Sequence, residues 1–134
     1  MVGVSAQVMG KVAIKRVYEE ATDGDGFRVL VDRIWPRGMT RERARVDLWL
    51  KSAAPSTALR KWFDHDPAKW KEFKRRYAAE LVVDPEGLDE LAERVRRGPL
   101  TLVYSATDPV HNQAAALQEF LERRIGPGSG GNRG

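Results

Sequence analysis

"FRVLVDRIWPRG", Phe27 to Gly38, decides the architecture. Val29, Leu30 and Val31 are apolar at successive positions. Side chains of a strand point alternately to opposite faces, so an uninterrupted apolar run is buried on both. That is the pattern of a strand in a mostly parallel sheet covered by helices. The same stretch then places Asp32, Arg33, Trp35, Pro36, Arg37 and Gly38 within seven residues. An apolar strand that runs out into an acid, an indole and two guanidinium groups reads as the rim of a crevice.

Two further segments read as strands. "KVAIKRVY", Lys11 to Tyr18, carries Val12, Ile14 and Val17, and the turn-rich "EEATDGDG" follows it. "LTLVYS", Leu100 to Ser105, comes late in the chain. Between the second and third strands the spacing is helical. Trp70, Phe73, Tyr77 and Leu81 form one stripe, and Leu88, Leu91, Ala92 and Val95 another. Asp66-Pro67, Asp84-Pro85 and Asp108-Pro109 each put an N-cap acceptor before a proline suited to the first helical position. Gly98-Pro99 stops the second of these helices. A shorter helix starts near Ser56 and buries Leu59, Trp62 and Phe63; another is expected over "RARVDLWL", Arg43 to Leu50. The last helix presents Ala114, Leu117, Phe120 and Leu121.

The expected fold is therefore α/β: a small, mostly parallel sheet with packed helices, and a helical insertion between strands two and three. That insertion is long enough for a parallel crossover, whereas the first connection is short and leaves the direction of the first strand open. Residues 11–124 are expected to form a single α/β domain. Residues 1–10 read as a flexible extension, with Met9 a possible start, and 125–134 as a flexible Gly-rich tail.

Composition narrows the chemistry. The chain has 134 residues, enough to bury a core without staples, and no cysteine. Disulfides, thiolate nucleophiles and Cys-ligated metal clusters are excluded together. The N-terminus lacks the basic and apolar regions of a signal peptide, and no apolar run approaches the ~18 residues of a membrane helix, so a cytoplasmic location away from membranes is expected. The two histidines and scattered acids show no metal-ligand spacing, and no Gly-rich phosphate loop or serine elbow is present, so neither metal nor cofactor is expected. The net charge of +4 is concentrated in "RERAR", "KEFKRRY" and "RVRR". Acids are interleaved there: Glu72 lies four residues before Arg76, and Arg76 four before Glu80, spacings that can pair along a helix.

In open α/β sheets ligands favour the crevice beyond the carboxyl ends of the strands. Two loops should meet there, one carrying Asp32 to Gly38 and one carrying Tyr104 to Asn112. Arg33 and Arg37 offer forks for phosphate or carboxylate. His111 can move protons near neutral pH, and Asp32 can orient an arginine or act as a base. Trp35, Tyr104, Asp108, Asn112 and His65 would complete the ligand contacts. Each has a plainer role available: an Asp32–Arg33 ion pair, a Trp35-Pro36 cap on the core, His65 bonded within its own helix end, and His111 exposed on the last helix. Trp49, Trp62 and Trp70 are assigned to the core.

In combination, "VDRIWPRG", "LRKWF", "HDP" and the Tyr104 to Asn112 segment resemble the short, YeaO-like branch of the family called domain of unknown function 488, over about residues 11–124. The resemblance implies an α/β domain and little mechanism. The longer branch is similar at both loops, with a valine-aspartate-valine-arginine strand end and a cysteine-histidine-arginine motif before its last helix. By that likeness Asp32 and Arg33 match the first, and His111-Asn112 falls where the second does. This chain has no cysteine, so only the position of the pocket carries over. Some members bear a transcription-regulator label, but no helix-turn-helix signature is present here.

Three functions fit this sequence. The first is a small anionic-ligand site, hydrolytic or group-transferring, with Arg33 and Arg37 holding the anion and His111 as acid or base. The second is nucleic-acid binding by Lys69, Lys71, Lys74, Arg75 and Arg76. The third is a structural or partner-binding role without catalysis. The sequence sets no oligomeric state.

Overall fold

The computed structural model describes residues 12–125. The expected extension, the Met9 start and all of the Gly-rich tail except Ile125 lie outside the described residues. Among the described residues the sheet has four strands in the order β1-β4-β2-β3: β1 (Val12–Arg16), β2 (Phe27–Leu30), β3 (Leu48–Trp49) and β4 (Leu100–Tyr104). Every pairing is parallel. The first strand thus runs parallel to β4, with Ile14 beside Leu102, and β2 lies on the other side of β4, with Val29 also beside Leu102.

The alternation of β2 distributes the core unevenly. Val29 and Val31 enter the larger cluster, with Leu100, Leu102 and the apolar stripes of the helices. Leu30 faces the opposite way, into a smaller cluster with Val17, Met39, Ala44 and Val103. All three residues of the Val29-Leu30-Val31 run are fully buried, as the two-faced reading requires.

The helices on the larger core are α2 (Thr57–Phe63), α3 (Trp70–Val83), α4 (Glu86–Arg97) and α5 (Gln113–Ile125); α1 (Arg41–Ala44) lies on the smaller one. Ser56 caps α2, its Oγ accepting from Leu59 N at 3.1 Å. Glu80 of α3 in turn accepts from the Ser56 amide and hydroxyl, tying the two helices together. Asp66 accepts from Ala68 N at 3.0 Å, as the Asp-Pro device predicts. Trp49, Trp62 and Trp70 are only partly buried and pack against the clusters from outside.

Three local expectations are corrected. "RARVDLWL" is not one helix: Arg45 turns left-handed at φ 47°, α1 ends, and β3 forms instead. The cause is the open edge of β2, whose Arg28 and Leu30 carbonyls accept from Asp47 N and Leu50 N at 2.8 and 2.9 Å. Unpaired backbone groups of a buried strand are costly, and this outweighs helical spacing. Asp84 is not an N-cap; its amide donates to Glu80 O and closes α3, and α4 starts after Pro85 with no side-chain cap. The acids Glu86 and Asp89 stand in its first turn, where the helix dipole favours them. Asp108 does not cap the last helix either. It accepts from Val110 N and His111 N in a separate turn, and Asn112 caps α5 by accepting from Ala115 N at 2.8 Å.

Below the amino ends of β2 and β4 a polar network is buried. Arg28 donates to Asp25 at 2.6 Å and to the Ala44 carbonyl at 2.6 Å; Lys15 reaches Asp25 at 3.1 Å. Thr101 donates to the Asp25 carbonyl at 2.7 Å. Gly26 makes this possible: at φ 67° a side chain is strained, and a Cβ there would sit 2.4 Å from the Pro99 carbonyl oxygen.

Candidate functional site

At the other edge the strands open into a cavity. β2 continues toward β3 on one side, while β4 continues into α5, which packs on β4 and β1 on the other. Connections that diverge from neighbouring parallel strands leave a crevice between them. Its volume is about 440 Å³, within the range of about 300–1,000 Å³ common for small-molecule sites.

The first wall is the Asp32–Gly38 loop. Val31 N still pairs with Val103 O at 3.1 Å, and the chain leaves the sheet at Asp32. Trp49 Nε1 donates to the Asp32 carbonyl at 2.7 Å, and Trp35 Nε1 to the Met39 carbonyl at 2.7 Å. The two indoles meet edge to face at 5.4 Å. Trp35 thus lines the cavity while its N–H holds the loop closed. Gly38, at φ 75°, lets the chain turn back over buried Pro36.

Seven of the nine expected residues line this cavity: Asp32, Arg33, Trp35, Arg37, His65, His111 and Asn112. Tyr104 and Asp108 do not. Tyr104 is buried, and burial pushes its phenol pKa up. Asp108 stands behind His111, its Oδ2 2.9 Å from His111 Nδ1. Its pKa is about 2, held down first by the His111 and Val110 amides and then by the imidazole.

The roles of the lining residues differ. Arg33 makes no ion pair with Asp32; its Nε and Nη2 both donate to the Pro55 carbonyl at 3.2 Å, bracing the wall after β3. Asp32 is buried, and burial raises its carboxyl pKa against the opposing effect of Ser105, Arg60 and Gln113. Gln113 Nε2 donates to Asp32 Oδ1. Asn112 is engaged by the Asp108 carbonyl and as the cap of α5. His111 packs edge-on against Trp70 at 5.4 Å. A carboxylate at Nδ1 favours the tautomer with its proton there, leaving Nε2 as an acceptor. His65 follows Asp64 in a pair of left-handed residues, φ 48° and 56°, and its side chain makes no hydrogen bond with another described residue. Such conformations in non-glycine residues persist where surrounding structure imposes them.

Sequence reasoning missed Arg60, Gln113, Ser105 and the aromatic wall of Phe63 and Phe73, all of which line the cavity. Arg60 lies inside the quoted "LRKWF" motif. It sits between core residues Leu59 and Phe63 on α2, where the apolar stripe is the stronger local signal. Arg37 and Arg60 are exposed, and neither guanidinium makes a hydrogen bond or ion pair with another described residue. Arg60 acts on Asp32 only through its charge.

The basic segments are mostly engaged. Arg75 and Arg76 both pair with Glu72, at 2.6 and 2.8 Å; Lys74 pairs with Glu119 at 3.1 Å, and Lys69 donates to the Trp62 carbonyl at 2.9 Å. Glu80 binds Ser56 rather than Arg76. Among the described residues no group of three His, Cys, Asp or Glu can hold a metal ion, and no helix is long and apolar enough to cross a membrane.

The family model described as "Inactive DUF488-N3 subclade" matches residues 11–132. The chain belongs to the DUF488 family. Its relatives include the "Uncharacterized protein YeaO" of Escherichia coli strain K12, 40% identical over 110 residues, 82% of this chain and 96% of that protein. The "Uncharacterized protein Rv3073c" of Mycobacterium tuberculosis H37Rv is 41% identical over 114 residues, 85% of this chain and 96% of that protein. No solved structure matches. This DUF488 chain thus agrees with the YeaO-like resemblance of its motifs.

Proposed function

We propose that this DUF488 protein binds a small organic anion, non-covalently and without turnover, in the cavity beyond β2 and β4. The observation that carries the reading is the pair Arg37 and Arg60: two guanidinium groups lining one cavity, neither engaged by a side-chain partner among the described residues. An arginine with no carboxylate of its own is a ready fork for phosphate or carboxylate. Arg33, the other expected anion ligand, braces the wall. The description of the matching subclade as inactive supports binding rather than catalysis, and the chain has no thiol for covalent chemistry.

A thermal-shift series tests this. A ligand that binds only the native state raises the melting temperature by mass action. Inorganic phosphate, sulfate, organic phosphates and carboxylates should raise it for the wild type but not for Arg37→Ala or Arg60→Ala. Shifts unchanged in both variants would end the reading.

The hydrolytic or group-transferring alternative has one observation in its favour, the Asp108–His111 contact that presents Nε2 as a base. Release of 4-nitrophenol from 4-nitrophenyl phosphate, lost in His111→Ala, would establish it. Nucleic-acid binding through the α3 cations predicts affinity that falls steeply with salt. Short DNA and RNA belong in the same series, and the ion pairs along that helix argue against a response.

A further inference from the structure

We propose that Asp32 is the specificity-determining residue of this cavity, selecting organic anions that carry an N–H donor on a flat apolar body, amino-aryl phosphates and carboxylates among them. The inference rests on the anion-binding reading of the same cavity.

The cavity is polarised. Its two unengaged guanidinium groups, Arg37 and Arg60, are exposed, while Arg33 is taken up by the Pro55 carbonyl, so an anionic group is held at the mouth. Asp32 is 6% exposed, so its carboxylate belongs to the floor. Phe63 and Phe73, stacked at 4.3 Å, and Trp35 line the same cavity. A flat apolar group fits such a wall better than a fully polar one.

The floor has a definite sign. A carboxylate offers about four lone-pair positions. Gln113 Nε2 donates to Asp32 Oδ1, and the neighbouring Ser105 favours the charged form. No described cation pairs with it directly; Arg60 acts by charge alone. The carboxylate therefore keeps acceptor capacity for a ligand. A donor placed there is satisfied, while an acceptor is repelled by the carboxylate and leaves both groups desolvated without a partner. Sites built around a buried polar group discriminate strongly on that group, unlike apolar pockets. The second oxyanion charge of an anionic ligand cannot sit on this floor, which keeps the anion at the arginines and sets the ligand's direction.

Three probes on one scaffold separate the two ideas: 4-aminophenyl, phenyl and 4-nitrophenyl phosphate, titrated calorimetrically into the full chain at pH 7. The amino compound should bind at least about tenfold more tightly than phenyl phosphate, as expected for a hydrogen bond to a charged group. The nitro compound should bind more weakly than phenyl phosphate. In Asp32→Asn the amino preference should vanish or invert, because the amide can donate. Arg60→Ala should weaken all three alike. Equal affinity for the three probes, lost with the arginines, would overturn the role of Asp32 and leave the anion site standing. Absence of binding by all three and by inorganic phosphate would remove the anion site and this inference with it. The wild-type ranking decides the matter even if Asp32→Asn fails to fold.

Discussion

The two edges of the sheet carry buried aspartates in opposite situations. Below the amino ends, Asp25 is surrounded by Lys15, Arg28 and Thr22, and Arg28 also donates from Nε and Nη2 to the Ala44 and Arg45 carbonyls. Burial alone would raise its pKa, yet Thr22, Lys15 and Arg28 together hold it at about 2. Above the carboxyl ends, Asp32 has neutral donors and no direct cation, and its pKa is raised. A buried charge enclosed by opposite charge and hydrogen bonds is structural; one left short of partners beside a cavity is a candidate for function. The difference teaches where to look in a small α/β domain: burial of an acid says little until its partners are counted.

Several substitutions break or sharpen that contrast. Asp25→Ala leaves Arg28 buried without its carboxylate, so urea unfolding should show a loss of about 3–5 kcal/mol. A loss below ~1 kcal/mol would mean that the network is not what secures the amino edge. Acid titration of stability should then separate the two acids. Asp25 has a depressed pKa, so its contribution, on the order of 2 kcal/mol, is present above pH 3.8 and is lost as the pH falls toward about 2. Asp32 has the opposite sign: the native state binds its proton more tightly than the unfolded chain. Stability therefore falls as the pH rises from 3.8 through its raised pKa, and Asp32→Asn should abolish that fall. If both variants altered the same pH window in the same direction, the contrast would be wrong.

Tyr77→Phe tests the rigidity of the cavity wall. Tyr77 is fully buried and donates to the Ala53 carbonyl, next to the Ala54-Pro55 lining, so its loss should cost about 1–3 kcal/mol in unfolding free energy. The smallest effect is expected at the mouth. Arg37→Ala and Arg60→Ala should change stability by no more than about 0.5 kcal/mol, since neither side chain has a partner to lose. A larger change at either position would make that arginine structural and weaken the binding proposal.

How much was legible follows from how local each signal is. The Asp66-Pro67 start of the third helical segment and the Ser56 cap were readable because cap and helix are sequence neighbours. The stripes Phe73, Tyr77, Leu81 and Leu91, Ala92, Val95 were readable because burial repeats with the helical period. Asp108 misled because an Asx turn and an N-cap have the same sequence signature; which one forms depends on where α5 docks. β3 was hidden because two residues cannot establish a period, and the edge of β2 that recruits them lies elsewhere in the chain. Arg33 and Arg37 look equivalent in the sequence. Only the Pro55 carbonyl, 22 residues away, distinguishes brace from free fork.

What the sequence determined by itself was the class of fold, the strand that organises it, and the loops that surround a crevice. These depend on apolar periodicity and turn chemistry, which act over a few residues. The tertiary structure alone decided the strand order, the opposite fates of Asp25 and Asp32, and the arrival of Arg60 and Gln113 at one cavity. Those outcomes depend on which groups meet across the fold, because a charge is stabilised or left wanting by neighbours that the chain brings from far away.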